Sequence, residues 1–262
     1  IAAFEMTDSS FNRVWEKTLK PVDDDRSFPM GSPALADETF YQVTGDGTLH
    51  AINLTTGDTR WKYNLGSQKE QVPAIQDGIV YISGSEETAA LSSAGDVNWT
   101  QSYDFTSSPV VKDDDLYFFG DTGYDTDRGL YALDINDGSI QWSQDIGLLG
   151  YEGTRNIAVD NDSVYANTDT AIYAFNRSDG KKEWQTQFDG SGELCISENH
   201  VFAVGKDSSA GAITALTKDT GETQWNKIVN SPIMTEPIIN GTELYFGAGD
   251  GTYSVRGQPK NS

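Results

Sequence analysis

Three aspartates in one turn-rich segment are the best candidates for metal chemistry in this sequence. Asp121, Asp125 and Asp127 lie between an apolar run that ends at Phe119 and another that begins at Leu130. Carboxylate oxygens at such spacing can hold a hard cation such as Ca²⁺. The segment matches only part of a calcium loop and lacks its terminal glutamate, so a solvated acidic loop is the competing interpretation.

Residue patterns that carry other kinds of catalysis do not occur in the sequence. There is no Gly-x-Ser-x-Gly, no Walker-type phosphate loop and no paired His and Cys. The single cysteine, Cys195, lies in an apolar run and is expected to be a buried, unreactive thiol. His50 occupies a place that other repeats give to tyrosine, so we expect a strand residue and not a ligand. No catalytic residue is predicted.

The elements that would position any site recur with a period of about 40 residues, which is typical of stacked or radial arrays. Most repeats end in a phrase close to Ala-x-(Asn/Asp)-x-x-(Thr/Asp)-Gly-x-x-x-Trp. Its glycine supplies the positive φ that the turn needs. Its tryptophan is expected to wedge between neighbouring repeats and to satisfy its indole N–H locally. The recurring residues are Gly57, Gly95, Gly138, Gly180 and Gly221, and Trp15, Trp61, Trp99, Trp142, Trp184 and Trp225.

Each repeat consists of short β-prone runs separated by Gly, Asp and Asn turns, with no sustained helical period. Four strands per repeat predict an all-β fold, a single β-propeller domain of about six four-stranded blades. The last repeat lacks the turn and tryptophan, whereas residues 11–20 carry a tryptophan at the right offset. We therefore predict that this N-terminal strand completes the C-terminal blade and closes the ring; a piece of a larger ring is the alternative. The predicted blades are 32–65, 72–103, 108–146, 156–188, 193–229, and 236–256 with 11–20.

The repeated phrase resembles that of the PQQ-like, quinoprotein-type β-propellers, over residues 11–256. That superfamily includes quinoprotein alcohol dehydrogenases, the BamB lipoprotein of outer-membrane assembly and sensor domains of bacterial kinases. The resemblance implies the fold and leaves activity open. Quinoprotein dehydrogenases have eight blades and adjacent cysteines at the cofactor, whereas this chain has one cysteine. No bound PQQ or other cofactor is expected, and calcium or another cation at the acidic loops stays open.

The sequence is strongly acidic, with 40 Asp and Glu against 18 Lys and Arg and a net charge of −22. Salt screens the resulting self-repulsion, so the composition predicts a halophilic, archaeal source; an acidic protein that binds cations or a basic partner is the rival. Nucleic acid is excluded as a partner because clusters of Lys and Arg are missing. No apolar run is long enough to span a membrane.

The site of action is expected to lie outside the cytoplasm, at a cell surface or in secreted form. The chain begins at Ile1 without methionine, so an upstream signal or anchor is an open expectation. Five Asn-x-Ser/Thr sequons give mild support for export. These candidate glycosylation sites are Asn53, Asn98, Asn161, Asn176 and Asn240.

A binding face is predicted where the last strand of each repeat connects to the first strand of the next. These connections are long and differ from one another, and variable loops on a rigid scaffold commonly carry binding. The candidate residues are Phe28, Met30, Gln71, Tyr103, Phe105, Tyr151, Glu152, Arg155, Glu193, Met234 and Glu236. We expect a non-enzymatic scaffold, sensor or adhesion module that binds protein or a cell-surface glycan. The alternative is a small quinoprotein-like or carboxylate-based enzyme with its site at the channel mouth.

Overall fold

The computed structural model describes most of the chain as antiparallel β-structure and, within that part, no helix. It divides into two compact units, Ile1–Gly147 and Leu148–Ser262. The described residues are 1–6, 10–19, 29–66, 71–84, 87–103, 105–121, 129–146, 156–168, 170–188, 192–206, 210–241 and 243–256.

The first unit contains one hairpin and three larger sheets. The hairpin consists of β1 (Ala2–Met6) and β2 (Phe11–Glu16). Sheet I consists of β3 (Pro29–Ala36), β4 (Thr39–Thr44), β5 (Thr48–Asn53) and β6 (Thr59–Asn64). Sheet II consists of β7 (Ala74–Gln76), β8 (Ile79–Ser83), β9 (Glu87–Ser92) and β10 (Val97–Ser102). Sheet III consists of β11 (Phe105–Thr106), β12 (Val110–Lys112), β13 (Asp115–Asp121), β14 (Gly129–Asp134) and β15 (Ile140–Asp145).

The second unit contains three further sheets of the same construction. Sheet IV consists of β16 (Asn156–Val159), β17 (Ser163–Asn167), β18 (Ala171–Asn176) and β19 (Lys182–Gln187). Sheet V consists of β20 (Leu194–Ile196), β21 (His200–Lys206), β22 (Gly211–Thr217) and β23 (Thr223–Val229). Sheet VI consists of β24 (Ile238–Asn240), β25 (Glu243–Ala248) and β26 (Gly251–Arg256).

In sheets I to V the core lies on two middle strands, which carry nearly continuous apolar runs because both of their faces are covered; in sheet VI the third strand, β26, is mostly exposed. β8 and β9 are buried at almost every position, whereas the last strand, β10, is mostly exposed apart from Trp99. β14 and β15 show the same contrast. This distribution matches the predicted four-stranded sheets that pack against neighbours through both faces.

The repeated tryptophan joins neighbouring sheets within each unit, as the sequence predicts. Trp99 at the end of sheet II donates its indole N–H to the carbonyl oxygen of Ile135 in sheet III, at 2.8 Å. In the second unit Trp184 makes the same bond to Lys218 O, at 2.6 Å. The turn glycine lies under the ring: a Cβ on Gly138 would come within 2.7 Å of Trp99 Cε3. Glycine therefore serves both the positive φ and the close approach of the ring.

The N-terminal strand takes part of its predicted role. Trp15 on β2 donates to Leu54 O at 2.8 Å and packs on Gly57, so β2 contacts sheet I as a preceding last strand would. Its hydrogen-bonded partner differs from the prediction, however. β2 pairs with β1, with Met6 opposite Phe11, and sheet VI has three strands among the described residues. Ala2–Met6 is the nearest β-prone run in sequence, and a short hairpin loop costs little entropy to close.

Candidate functional site

Residues 231–236 form the best-described part of the predicted binding face. They follow β23 and lie against the turn between β25 and β26. Backbone bonds run from Met234 N to Gly247 O, at 2.9 Å, and from Gly249 N to Pro232 O, at 3.0 Å. Gly247 N also donates to Thr235 Oγ1 at 2.7 Å. The segment is thus fixed at several points by the sheet beside it.

The fixed segment presents an apolar and an acidic side chain to solvent. Ile233 is buried and packs with Ile213, Val229 and Phe246 in the core of the second unit. Met234 points the other way and is 70% exposed. Thr235 and Glu236 are also exposed. An unbranched, polarisable methionine beside a carboxylate on a rigid loop is suited to contact another protein.

Glu193 has a structural contact in the second unit that the sequence did not indicate. Its carboxylate accepts a hydrogen bond from Asn156 Nδ2, and Asn156 Oδ1 in turn accepts one from Leu194 N at 3.2 Å. Glu193 O also accepts a bond from Val204 N at 3.1 Å. Asn156 and Glu193 therefore tie the first strands of sheets IV and V together.

Gln71 and Tyr103 differ from the prediction, because both are only 3% exposed. Tyr103 packs edge-on against Phe118 and Tyr131, with ring centroids 4.8 and 5.3 Å away. Burial, with a smaller effect of Tyr131, raises its pKa to about 12. Tyr103 is the apolar residue four positions after Trp99, a place that packs into the core, and Gln71 is buried outside that pattern. They are not available to a partner.

The remaining candidates on this face are only partly described. Phe28, Tyr151, Glu152 and Arg155 lie outside the described residues. Met30 lies on β3 and Phe105 lies on β11, and only the backbone of these two residues is described. Met234 and Glu236 are therefore the predicted face residues whose side chains are described and exposed, and a binding role for them stays a prediction.

The predicted metal segment is represented by Asp121 alone, which is buried at the end of β13. Asp125 and Asp127 lie outside the described residues. Among the residues that are described, no group of three His, Cys, Asp or Glu side chains is arranged to hold a metal ion. The calcium hypothesis stays a prediction.

Two further groups have the structural roles that the sequence predicts. His50 is buried on β5, with Nε2 3.1 Å from Thr44 Oγ1, and burial lowers its pKa to about 4. Cys195 is half-buried on β20, and burial raises the pKa of its thiol to about 12. A thiol with so high a pKa is a poor nucleophile at neutral pH.

The sequons fall into two groups by the environment of the asparagine. The amide oxygens of Asn53 and Asn176 accept backbone hydrogen bonds within their own turns, from Thr55 and Ser178 among others. The side chains of the other three are exposed at turns or strand ends, at Asn98, Asn161 and Asn240. Glycosylation of these sites stays a prediction.

The family described as Outer membrane protein assembly factor BamB matches this sequence over residues 5–148, 66–206 and 127–257. These overlapping matches run along nearly the whole chain. The chain belongs to this family.

Individual BamB relatives are distant and longer than this chain. Outer membrane protein assembly factor BamB of Salmonella typhimurium is 26% identical over 173 residues, which cover 63% of this chain and 42% of the relative. The Moranella endobia protein of the same name is 22% identical over 250 residues, covering 85% and 60%. The chain thus spans about half the length of these relatives.

Solved structures support the fold of this BamB-family chain. BamB from Moraxella catarrhalis aligns with a TM-score of 0.72 and 20% identity, covering 88% of this chain and 74% of that one. A europium-containing methanol dehydrogenase aligns with a TM-score of 0.74 and 12% identity, covering 97% and 72%. One fold therefore serves a BamB and a dehydrogenase, so the likeness carries no activity. The described part of the chain contains no helix with the length and apolar character needed to cross a membrane.

Proposed function

We propose that this chain is an extracytoplasmic β-propeller that binds proteins as a scaffold and uses no cofactor. Membership of the BamB family carries the proposal, since its relatives are named as assembly factors. The proposal takes from that name the general role of holding other proteins and does not commit to a particular membrane. It also does not adopt a glycan partner or an adhesive role.

The binding face of the proposal is the 231–236 segment of the second unit. Its backbone is hydrogen-bonded to β25 and the β25–β26 turn. A partner would therefore bind a preformed surface, and little entropy would be lost in ordering the loop. Met234 offers apolar area, and Glu236 offers a charge at its rim. Such a mixture of an apolar anchor and a polar rim is common in protein interfaces.

Site-specific photocrosslinking in the source organism tests this face. A photoreactive residue is placed at position 234, and the matched control carries it at Ile228, which has a similar exposure of 68% but lies on β23. We expect one or more defined proteins to crosslink from position 234 and not from position 228. Equal crosslinking at both positions, or none at either, would contradict the proposed face.

A second measurement separates the scaffold from an enzyme. The chain is purified from its source, and its absorbance spectrum and intact mass are recorded. A stoichiometric quinone, or a metal that supports turnover, would replace the scaffold proposal with the enzymatic alternative. A colourless protein without a bound quinone or metal that still captures the crosslinked partner supports the proposal.

A further inference from the structure

A cavity of about 650 Å³ opens between sheets II and III of the first unit, away from the 231–236 segment in sequence. Three carboxylates surround it, two apolar side chains flank it and one tyrosine is buried at its base. Its lining residues are Gln76, Asp77, Ile79, Tyr81, Asp113, Asp114, Ile135 and Asn136. Its size falls in the usual range of ligand sites.

The tyrosine at the base of the cavity lacks a hydrogen-bond partner that its counterparts have. Tyr117 and Tyr245, at the same place in sheets III and VI, donate to an acidic residue two positions earlier, Asp115 and Glu243. In sheet II that position is Ile79, which offers no acceptor. Tyr81 is 2% exposed, and within the described chain no protein group hydrogen-bonds to its hydroxyl. Because Tyr81 lines the cavity, its hydroxyl is available to hydrogen-bond a ligand there.

The second unit shows what occupies the equivalent place there. Ile135 and Lys218 correspond, because each carbonyl oxygen accepts the indole N–H of the preceding sheet. The Lys218 ammonium pairs with the Asp160 carboxylate and lies 6.0 Å from the centroid of the Tyr165 ring, the counterpart of Tyr81. Between sheets IV and V, the chain thus fills this position with its own basic side chain. Cation–π attraction and ion pairing both favour a cation there.

Between sheets II and III the same place holds Ile135, as it holds Ser93 between sheets I and II, and negative charge surrounds the opening. Asp77 and Asp114 have no ion pair within the described residues, and Asp113 pairs with Lys112 at 3.2 Å. The cavity therefore has an acidic rim and an aromatic base. Among the residues that the structure describes, Lys112 pairs with one of its three carboxylates, Asp113.

We propose that this cavity binds a Lys or Arg side chain of a partner polypeptide, in the position that Lys218 occupies between sheets IV and V. The apolar stem would lie along Ile79 and Ile135, and the cationic head would meet Asp77 and the Tyr81 hydroxyl. The inference rests on the proposed function in assuming a polypeptide partner. The cavity would be a second contact with the partner in addition to residues 231–236, and its ligand would be a basic side chain.

Peptide titration of the full chain tests the proposal directly. The probe is acetyl-Gly-Arg-Gly-amide, and its neutral citrulline counterpart is the control; binding is followed by the NMR shifts of amides 77–79 and 113–115. The lowest salt that keeps the chain folded is used, since salt screens exposed charges. We expect shifts confined to this cavity and an affinity for the citrulline peptide lower by about fivefold or more. Equal affinities, or shifts elsewhere, would overturn the proposal.

Matched variants assign the binding to the named residues. Asp77→Asn is expected to lower the affinity for the arginine peptide by ~2–5-fold. Tyr81→Phe is expected to lower it by ~2–10-fold. Asp37→Asn removes the same charge from the corresponding turn of sheet I and should change nothing; both aspartates have positive φ, which asparagine tolerates. Equal effects of Asp37→Asn and Asp77→Asn would mean unspecific attraction to an acidic protein.

A lysine placed at position 135 tests whether the chain can block this cavity with its own basic side chain. Ile135→Lys should fill the cavity as Lys218 does and abolish binding of the arginine peptide while the melting curve stays cooperative. Unchanged peptide binding by this variant would overturn the proposal. Failure of these titrations with successful crosslinking at position 234 would leave the scaffold function standing; the reverse result would remove the proposed face and keep the cation site.

Discussion

At the scale of single residues, the turn glycines Gly57, Gly95, Gly138 and Gly221 each form one unit with the tryptophan of the preceding strand. The glycine adopts positive φ and lies against the tryptophan ring of the preceding sheet, while the indole N–H bonds to a carbonyl of the same turn. One glycine thus meets two requirements, the positive φ and the close approach of the tryptophan ring. Their contributions to stability can be measured separately because some turn glycines have the positive φ and no ring contact.

Gly221→Ala is expected to destabilise the chain more than Gly241→Ala. Both residues have positive φ, at 69° and 61°, but a Cβ on Gly221 would lie 2.6 Å from Trp184 Cδ2, whereas nothing lies within 4 Å of one on Gly241. Backbone strain alone costs ~1 kcal/mol, and the clash adds ~1–3 kcal/mol. Denaturant unfolding measures both. Similar losses would show that the ring contact contributes little.

His50 is expected to make stability depend on pH in the mildly acidic range. Burial lowers its folded pKa to about 4, below the ordinary value of 6.5, so between these values the unfolded chain binds a proton that the folded chain does not. Stability therefore falls as pH decreases from about 6.5 to 4, by as much as ~3 kcal/mol from this group. Unfolding free energies at pH 7 and 5 for His50→Gln should differ less than those of the parent chain.

At the scale of elements, the N-terminal hairpin completes the contact surface of sheet I. Trp15 covers Gly57, and Lys17 Nζ donates to Gly57 O at 2.6 Å. β2 thus acts toward sheet I as the last strand of a preceding sheet. Its pairing with β1 keeps it in place from the other side. Its strand pairing is thus with β1 and not, as predicted, with sheet VI.

Deleting residues 1–20 should lower the melting temperature by about 5 °C or more, since a packed tryptophan contributes ~2–3 kcal/mol. Deleting residues 1–8 leaves Trp15 and Lys17 and should cost less. Differential scanning calorimetry compares the two truncated chains with the parent. If both deletions cost the same, Trp15 is not the source of the stabilisation.

At the scale of the whole molecule, charge is the dominant feature. The chain carries 40 acidic and 18 basic residues, and several carboxylates, such as Asp77, lie in exposed turns with no ion pair among the described residues. Self-repulsion of this size opposes the compact state at low ionic strength. The halophilic origin stays a prediction that this repulsion motivates.

Thermal melts in about 0.1 M and 2 M KCl should show a clear rise of the melting temperature with salt, because the Debye length falls from about 10 Å to below 3 Å. A neutral osmolyte at matched water activity is the control and should stabilise less. Equal melting temperatures in the two salt solutions would remove the halophilic interpretation and leave the fold untouched.

Local pattern alone determined the strands, the turns and the role of each tryptophan. These features depend on residues close in sequence and on a contact that Trp15, Trp61, Trp99 and Trp184 each make, so the period of Gly and Trp was sufficient to predict them. Side-chain exposure in the connections was not predictable in this way. Tyr103 stands four residues after its tryptophan, where Leu65 and Val229 are also buried, whereas no repeat position marks Met234 as exposed.

The tertiary structure alone decided which residues from different repeats meet. Ile135 and Lys218 occupy the same place in the repeat, but only the neighbouring sheet shows that one leaves an acidic cavity and the other fills it. The partner of β2 was likewise decided by the nearby Ala2–Met6 strand, which no repeat pattern marks. Such contacts depend on distance in space between groups far apart in sequence. The repeat predicts which positions are equivalent, and the packing of neighbouring sheets determines which side chains fill the space beside them.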